Sequence, residues 1–385
     1  MIKPPVTPQD TRQVTRQVTR QMGRQAPPQA MPLTPAASPP LALRAAAPRR
    51  RLRSALALVL GAAALAVAGL PQPVRAQAAP AQATAYPSRS ITLLVPFAAG
   101  GPTDVVARAL GAVMARSLGQ SVLIENKTGA GGTLASGHLA KAAPDGYTFL
   151  IHHNGMATAP GLYRKLAFNP LTDFEYVGQV VDVPMTLLAR KDLPPRTAPE
   201  LVAYIKAQGN KLSLAHAGLG AVSQLCGMLL QKMVDTELNS IPFQGTAPAM
   251  NALLGGQVDI LCDQTTQTLQ HIKAGNVKLY GVTTRERIRA LPDTPTLDEA
   301  GLKGFEVKVW HGVYAPKGTP PALIERFGTA LRAALKDPAI VQRMGELGAE
   351  IVPEAKQTPE GLRSWLKPEI DKWGALIRSA GQYAD

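Results

Sequence analysis

From Tyr86 onward, short apolar runs alternate with segments of helical periodicity, and the turns joining them are rich in glycine and threonine. "ITLLVPF", "SVLIEN" and "YTFLI" read as buried strands. After the first, Val106, Leu110, Val113 and Met114 fall on one helical face, and Gly119 stops that helix. "GAGGTLASGHLAKAA" gives the helix after the second. The pattern then resumes: helix "TAPELVAYIKAQGN", strand "KLSLAHAG", helix "SQLCGMLLQKM", strand "LNSIPF", helix "APAMNALLGG", strand "VDILCD", helix "QTLQHIKAG" and strand "VKLYGVTT". Strands alternating with helices predict an α/β fold on a parallel sheet with crossovers.

Two α/β units emerge, 86–182 and 183–309. "FEVKVWHGVYAP" reads as a long strand returning across their boundary. Three helices are left over: "PPALIERFGTALRAALK", "PAIVQRMGELG" and "PEGLRSWLKPEIDKWGALIRSAG", the last with a kink or break predicted at Pro368. The simplest arrangement returns these helices to the first unit. The expected lobes are therefore 86–182 plus 310–385, and 183–309, with a cleft between them at the carboxyl ends of strands.

Residues 1–76 stand apart. "TRQVTRQVTRQ" is a low-complexity repeat without apolar periodicity. "RRRLRSALALVLGAAALAVAGLPQPVRAQA" has the cationic start, apolar middle and small-residue end of a cleavable secretory signal, with cleavage after Ala76 or Ala78. Its apolar run is short for a membrane span of about 20 residues. The expected location is the periplasm. The export route, Sec or twin-arginine, and the true start, Met1 or a later residue such as Met31, stay open.

The net charge of +14 resides largely in that leader. Residues 1–76 hold ten arginines, Lys3 and one acid, Asp10, so 30 bases against 26 acids remain, a net +4. No basic patch interleaved with aromatics stands out, which argues against nucleic acid as a partner. Cys226 and Cys262 are either a disulfide, as an exported chain permits, or two buried thiols.

Gly100-Gly101-Pro102-Thr103-Asp104 ends the first strand and opens a helix. Glycines permit close backbone approach, and a helix start offers free N–H groups and a dipole that favours an anion. Thr103 or Asp104 can cap that helix. The same residues also make an ordinary tight turn. Similar turns recur at Asn126–Gly132, His216–Ser223, Gln244–Ala247 and Asp263–Thr266. Neither a P-loop nor a dinucleotide fingerprint is present. Ser223 lies in no G-x-S-x-G frame, the six histidines show no metal-binding spacing, and Cys226 sits among apolar helical neighbours. Trp310, Trp365 and Trp373 read as packing residues, with Trp310 the one a crossover strand could bring to the cleft.

"YPSRSITLLVPFAAGGPTDVVARAL", "GQSVLIENKTGAGGTLASGHLAKAAPDGYTFL", "IPFQGTAPAMNALLGGQVDIL", "LPDTPTLDEAGLKGFEVKVWHGVYAPKGTP" and "PEIDKWGALIRSAG" together resemble the Bug family, the periplasmic solute receptors of tripartite tricarboxylate transporters. The resemblance covers Tyr86 to Asp385. It implies a type II periplasmic-binding-protein fold of two α/β lobes. It further implies capture of a small carboxylate without chemical change, delivery to membrane permease subunits, a monomer, no cofactor and no metal. By position, the ligand-binding residues it implies are Phe97, Ala98, Ala99, Gly100, Gly101, Thr103 and Asp104 in the first loop. His152, His153 and Asn154 follow "YTFLI". The second lobe contributes His216, Gly218, Gly220, Ala221 and Ser223, then Gln244, Gly245, Thr246 and Ala247, and finally Asp263. Two departures stand out. Gln224 occupies a position where the family often has histidine, and Phe243-Gln244-Gly245 replaces a frequent Tyr-Lys-Gly, losing a cation. Two other readings share these residues: a ligand-binding sensor that signals to a partner, and a periplasmic hydrolase or lyase using His216 with Asp263 or Ser223.

Overall fold

The computed structural model describes residues 86–381 and residue 383. The leader, its cleavage point and the repeat lie outside the described residues. No helix among the described residues is long and apolar enough to cross a membrane.

Three parallel strands open the fold. β1 (Ile91–Val95) lies between β2 (Val122–Asn126) and β3 (Thr148–His152). α1 (Pro102–Leu118) buries Val106, Leu110 and Met114 and ends at Gly119, whose left-handed backbone turns its amide onto the Ala115 carbonyl at 2.9 Å. This is the glycine stop that the sequence indicates, where only a residue tolerant of positive φ closes the last turn without strain. α2 (Thr133–Ala140) and α3 (Gly155–Leu162) follow their strands.

The chain next enters β4 (Phe174–Arg190), a 17-residue strand buried almost throughout. Nothing in the apolar pattern announces it. A strand covered on both faces has no alternation to read, and Gly178 and Pro184 interrupt its run with residues that normally mark turns. From Phe174 to Pro184 it pairs antiparallel with β9 (Lys308–Pro316), the expected returning strand. From Met185 to Arg190 it runs antiparallel between β7 (Ile260–Gln264) and β8 (Val277–Val282). β5 (Ser213–His216) is parallel to β6 (Asn239–Pro242) and to β7. The strand order is β2-β1-β3-β9-β4-β7-β5-β6, with β8 and the short β10 (Glu350–Ile351) on β4. The sheet is thus mixed. Two parallel triplets are joined through the antiparallel pair β4 and β9, where the sequence pattern predicts parallel strands throughout.

α5 (Val222–Val234) and α6 (Thr246–Leu254) connect the strands of the second triplet, while α4 (Ala198–Gln208) leads into it from β4 and α7 (Thr265–Lys273) leads out of it to β8. α4 starts with a reciprocal cap: the Thr197 hydroxyl accepts the Glu200 amide at 3.3 Å, and Glu200 accepts the Arg196 amide at 2.8 Å. Cys226 on α5 and Cys262 on β7 form a disulfide with Cα atoms 6.2 Å apart, which decides between the two readings of the pair.

α8 (Pro321–Lys336), α9 (Pro338–Glu346) and α10 (Pro359–Ala380) complete the chain. α10 runs through Pro368 as one helix, so the expected break is absent. It packs on α3 and β4, as a return to the first triplet requires. The buried carboxylate of Glu369 accepts the indole N–H of Trp310 at 2.9 Å and that of Trp373 at 3.0 Å. Trp310 therefore faces the core beneath α10, as a packing residue does.

Candidate functional site

The carboxyl ends of the two parallel triplets face one another, and their loops touch. The Ala98 amide after β1 donates to the Gln244 carbonyl after β6 at 3.0 Å. The Thr158 hydroxyl on α3 donates to the Gly220 carbonyl at 2.7 Å, and the Tyr163 hydroxyl to the Leu219 carbonyl at 3.2 Å. Glycines make this approach possible. A Cβ on Gly218 would lie 3.2 Å from the Gly131 Cα, and one on Gly131 would run into the Leu219 carbonyl. Both adopt positive φ, so their conformation and their crowding each call for glycine.

Within this seam lies a cavity of about 10 Å³, room for roughly one water molecule. Of the residues the sequence singles out, Phe97, Thr103 and His153 line it from one side, and Ala221, Ser223, Thr246 and Asp263 from the other. Pro102, Met185, Ala217, Val222 and Gln264 complete the lining. Met185 carries no signal in the sequence, because it sits on β4, a strand without period. Gly218 and Gln244 border a second cavity of about 250 Å³, which shares Phe97 and Ala217 with the first. His216 lies elsewhere. Its Nδ1 accepts the Gly218 amide at 3.2 Å, and its ring lines a third cavity with Gln224 and Met228, so it shares no cavity with Asp263. A catalytic pair of His216 and Asp263 finds no support in that geometry.

Several of the singled-out side chains serve the loops themselves. Asp104 accepts the Gly100 amide at 2.9 Å, the Arg108 guanidinium at 2.8 Å and the Asn126 amide at 2.9 Å. Burial raises its pKa, but these donors outweigh that and hold the carboxyl below its ordinary value. Asp104 is thus a clasp between β1 and β2. The N-cap of α1 is Gly101, without a side-chain cap, so neither Thr103 nor Asp104 fills that role. The Gly100 amide is occupied, and the Gly101 amide points to the Ala98 carbonyl at 3.3 Å. Asn154 uses its side-chain amide on β9, donating to the Lys308 carbonyl at 3.2 Å and accepting the Trp310 amide at 3.1 Å. Ser223 accepts the Ala217 amide at 2.8 Å, and the Thr246 hydroxyl bonds Gln267 at 3.1 Å. Gly245 brings the second-side loop against Phe97 and Ala98, Ala247 reaches Gly101, and Ala99 lies exposed at the tip of the first loop.

Three histidines are buried under the first loop. Phe97 stacks on His153 with ring centroids 4.7 Å apart. His152 Nδ1 accepts the His153 amide at 2.8 Å, and His153 Nδ1 accepts the Gly155 amide at 3.0 Å, which fixes both as neutral rings protonated at Nε2. His311, on β9 and invisible to the motif reading, sits 3.1 Å from the Thr103 hydroxyl through its Nε2. Burial lowers the pKa of His152 and of His311 to about 3 and that of His153 well below its ordinary value. Asp263 is shifted the other way. Burial pushes it up to about 7, against the opposing Gln264 amide and Thr246 hydroxyl. The cavity lining includes no lysine or arginine. Among the described residues, no group of three or more His, Cys, Asp or Glu could hold a metal ion.

The family model for the tripartite tricarboxylate transporter family receptor matches residues 106–382. A protein of Agrobacterium vitis, from the TAR-I ttuE–ttuC′ intergenic region, is 47% identical over 297 residues, which is 77% of this chain and 86% of that protein. The solved structure of the periplasmic binding protein BugD is 50% identical with a TM-score of 0.76, covering 78% of this chain and all of that one. MatC from Rhodopseudomonas palustris, solved with bound malate, is 41% identical with a TM-score of 0.73, covering 76% of this chain and all of that one. The mixed α/β fold described above is shared with both solved structures, a periplasmic binding protein and a malate-bound one. The chain belongs to the tripartite tricarboxylate transporter receptor family, the periplasmic solute-binding proteins that include the Bug receptors.

Proposed function

We propose that this chain captures a small carboxylate in the seam between a lobe of residues 86–182 plus 310–385 and a lobe of residues 183–309. It then presents the ligand, chemically unchanged, to membrane permease subunits as a monomer in the periplasm. The observation that carries this reading is the meeting of two sets of strand-end loops, from opposite parallel triplets, around one small cavity lined by both polar and apolar side chains.

The ligand contacts follow from the groups left over once the loops have satisfied themselves. The Thr103 and Asp104 amides at the start of α1 have no acceptor among the described residues, and the helix dipole favours an anion there. Ser223 accepts a hydrogen bond through its oxygen, which leaves its proton for the ligand. Phe97, stacked on His153, supplies an apolar wall. A buried carboxylate costs several kcal/mol unless its lone pairs are satisfied, so these donors must converge on it. A small dicarboxylate needs far more room than about 10 Å³. Capture therefore requires the seam to part and then close again around the ligand, and a ligand that touches both sides favours closure.

The test is a thermal-shift screen of the chain, stripped of copurifying ligand by refolding, against mono-, di- and tricarboxylates, with hits repeated by calorimetry. A ligand at 100 times its dissociation constant stabilises by about 2.7 kcal/mol. Recovery of a stabilising carboxylate unchanged supports the reading. Consumption of the compound would replace it with an enzymatic one.

A further inference from the structure

The chain satisfies its buried carboxylates carefully. Asp104 has three donors, Asp182 is held by the Gln179 side-chain amide and the Lys308 ammonium, and Glu369 has two indoles. Asp263 is the exception. It is wholly buried near the end of β7, and its Oδ1 accepts the Gln264 amide at 2.7 Å. Its Oδ2 is shut from solvent and has no hydrogen-bond partner, because the neighbouring Thr246 hydroxyl is given to the Gln267 side-chain oxygen at 3.1 Å. The residue lines the seam cavity, and so does its neighbour Gln264, whose Oε1 is likewise buried and unpartnered.

Two buried acceptors without donors in the lining of a binding cavity define what can enter there. Leaving such a group unpaired is costly, and sites built to hydrogen-bond a hydroxyl or amine reject the analogue that lacks one. Gln264 can answer either kind of partner by turning its amide. An ionised Asp263 can only accept. No lysine or arginine lines the cavity to neutralise it, and the nearby His153 is held neutral by burial. An unsubstituted dicarboxylate brings no donor to Oδ2 and adds negative charge beside it. A hydroxyl or ammonium group next to the ligand's carboxylate supplies the missing hydrogen.

Resting on the small-carboxylate reading above, we infer that Asp263 is the specificity-determining residue of the seam, selecting hydroxy- or amino-substituted acids over their unsubstituted counterparts.

Succinate, malate and aspartate share a four-carbon dicarboxylate skeleton and differ in this one substituent. Calorimetry with the whole chain at pH 8, above the value of about 7 to which burial raises Asp263, measures their affinities directly. The expected result is at least tenfold tighter binding of malate, aspartate or both than of succinate. In Asp263→Ala that preference falls to near unity. Equal affinities in the unaltered chain overturn the inference, and so does a preference that survives in Asp263→Ala. The comparison in the unaltered chain needs no variant, so it decides even if the substitution prevents folding. If none of the three acids binds while a solute of another class does, the small-carboxylate reading fails and the inference falls with it. If all three bind alike, only the inference fails.

Discussion

The Thr103 hydroxyl and the Nε2 of His311 sit 3.1 Å apart, and both side chains are shut away from solvent. The bond ties the first turn of α1 to β9, the strand that returns the chain. His311 Nδ1 has no partner, so this hydroxyl is the ring's only hydrogen bond among the described residues. Thr103→Val keeps the shape and strands the ring. The expected loss of unfolding free energy is about 1–3 kcal/mol, read from urea midpoints at constant slope. Thr103→Ser, which keeps the hydroxyl, should recover most of it. A Val variant as stable as the parent would show that the bond contributes nothing.

Gly131→Ala tests the seam. A Cβ there would meet the Leu219 carbonyl, and φ is +60°. Gly119→Ala is the control, since φ is +71° and no heavy atom lies within 4 Å of the added carbon. Both variants carry a backbone penalty of about 1 kcal/mol. Only Gly131→Ala should also prevent the loops from meeting. Ligand affinity is expected to fall at least tenfold in Gly131→Ala and to stay near parental in Gly119→Ala. Equal affinities in the two variants would exclude the close approach as a requirement for binding.

The buried titratable groups predict opposing pH effects. His152 and His311 titrate near 3 when folded, far below the ordinary 6.5, because burial disfavours their charged form. The unfolded chain therefore binds more protons, and stability falls as pH drops from about 6.5 towards 3. Asp263 acts in the reverse sense. Its folded value is raised to about 7 from 3.8, so the folded chain holds the extra proton between those values. Stability from this group falls as pH rises through that window. Asp263→Asn removes only the second effect. Its stability relative to the parent should rise from pH 4 to pH 7 and then level off, measured by denaturant midpoints across pH. A flat difference would contradict the burial-driven shift.

The disulfide joins residues 36 apart in sequence, on α5 and β7, the elements that carry Ser223 and Asp263. A cross-link closing a loop of that size stabilises by about 3–4 kcal/mol in the chain-entropy description. Replacing both cysteines by alanine should lower unfolding free energy by about that amount. Chemical denaturation of the two proteins under non-reducing conditions compares them, and a change under about 1 kcal/mol would point to strain or residual unfolded structure offsetting the link.

Local signals in the sequence were legible where one residue type answers one backbone need. Gly119 ends α1 and Thr197 opens α4 because capping chemistry is read within four residues. β4 was not legible, since a strand buried on both faces and broken by Gly178 and Pro184 has no period. Losing β4 hid Met185 and the antiparallel core of the sheet. Within the site, loop positions could be located but side-chain duties could not. Asp104 and Asn154 stand beside the predicted turns, yet both serve the scaffold. His311 joins Thr103 from 208 residues away, a pairing that only the folded sheet makes visible.

The chain passes between the two triplets along β4 and returns along β9, and at the crossing these strands are ladder partners: Asp182 opposite Trp310, Val183 opposite Val309, Pro184 opposite Lys308. An ion pair from Lys308 to Asp182 at 2.6 Å fastens the same rungs. Two neighbouring strands bonded to one another resist sliding and bend together, like the spine of a book. On the proposed capture in the seam, admission of a solute would then be a single angular coordinate shared by all the seam loops. Contacts as far apart in sequence as Ala98 with Gln244 and Tyr163 with Leu219 would break and re-form in step.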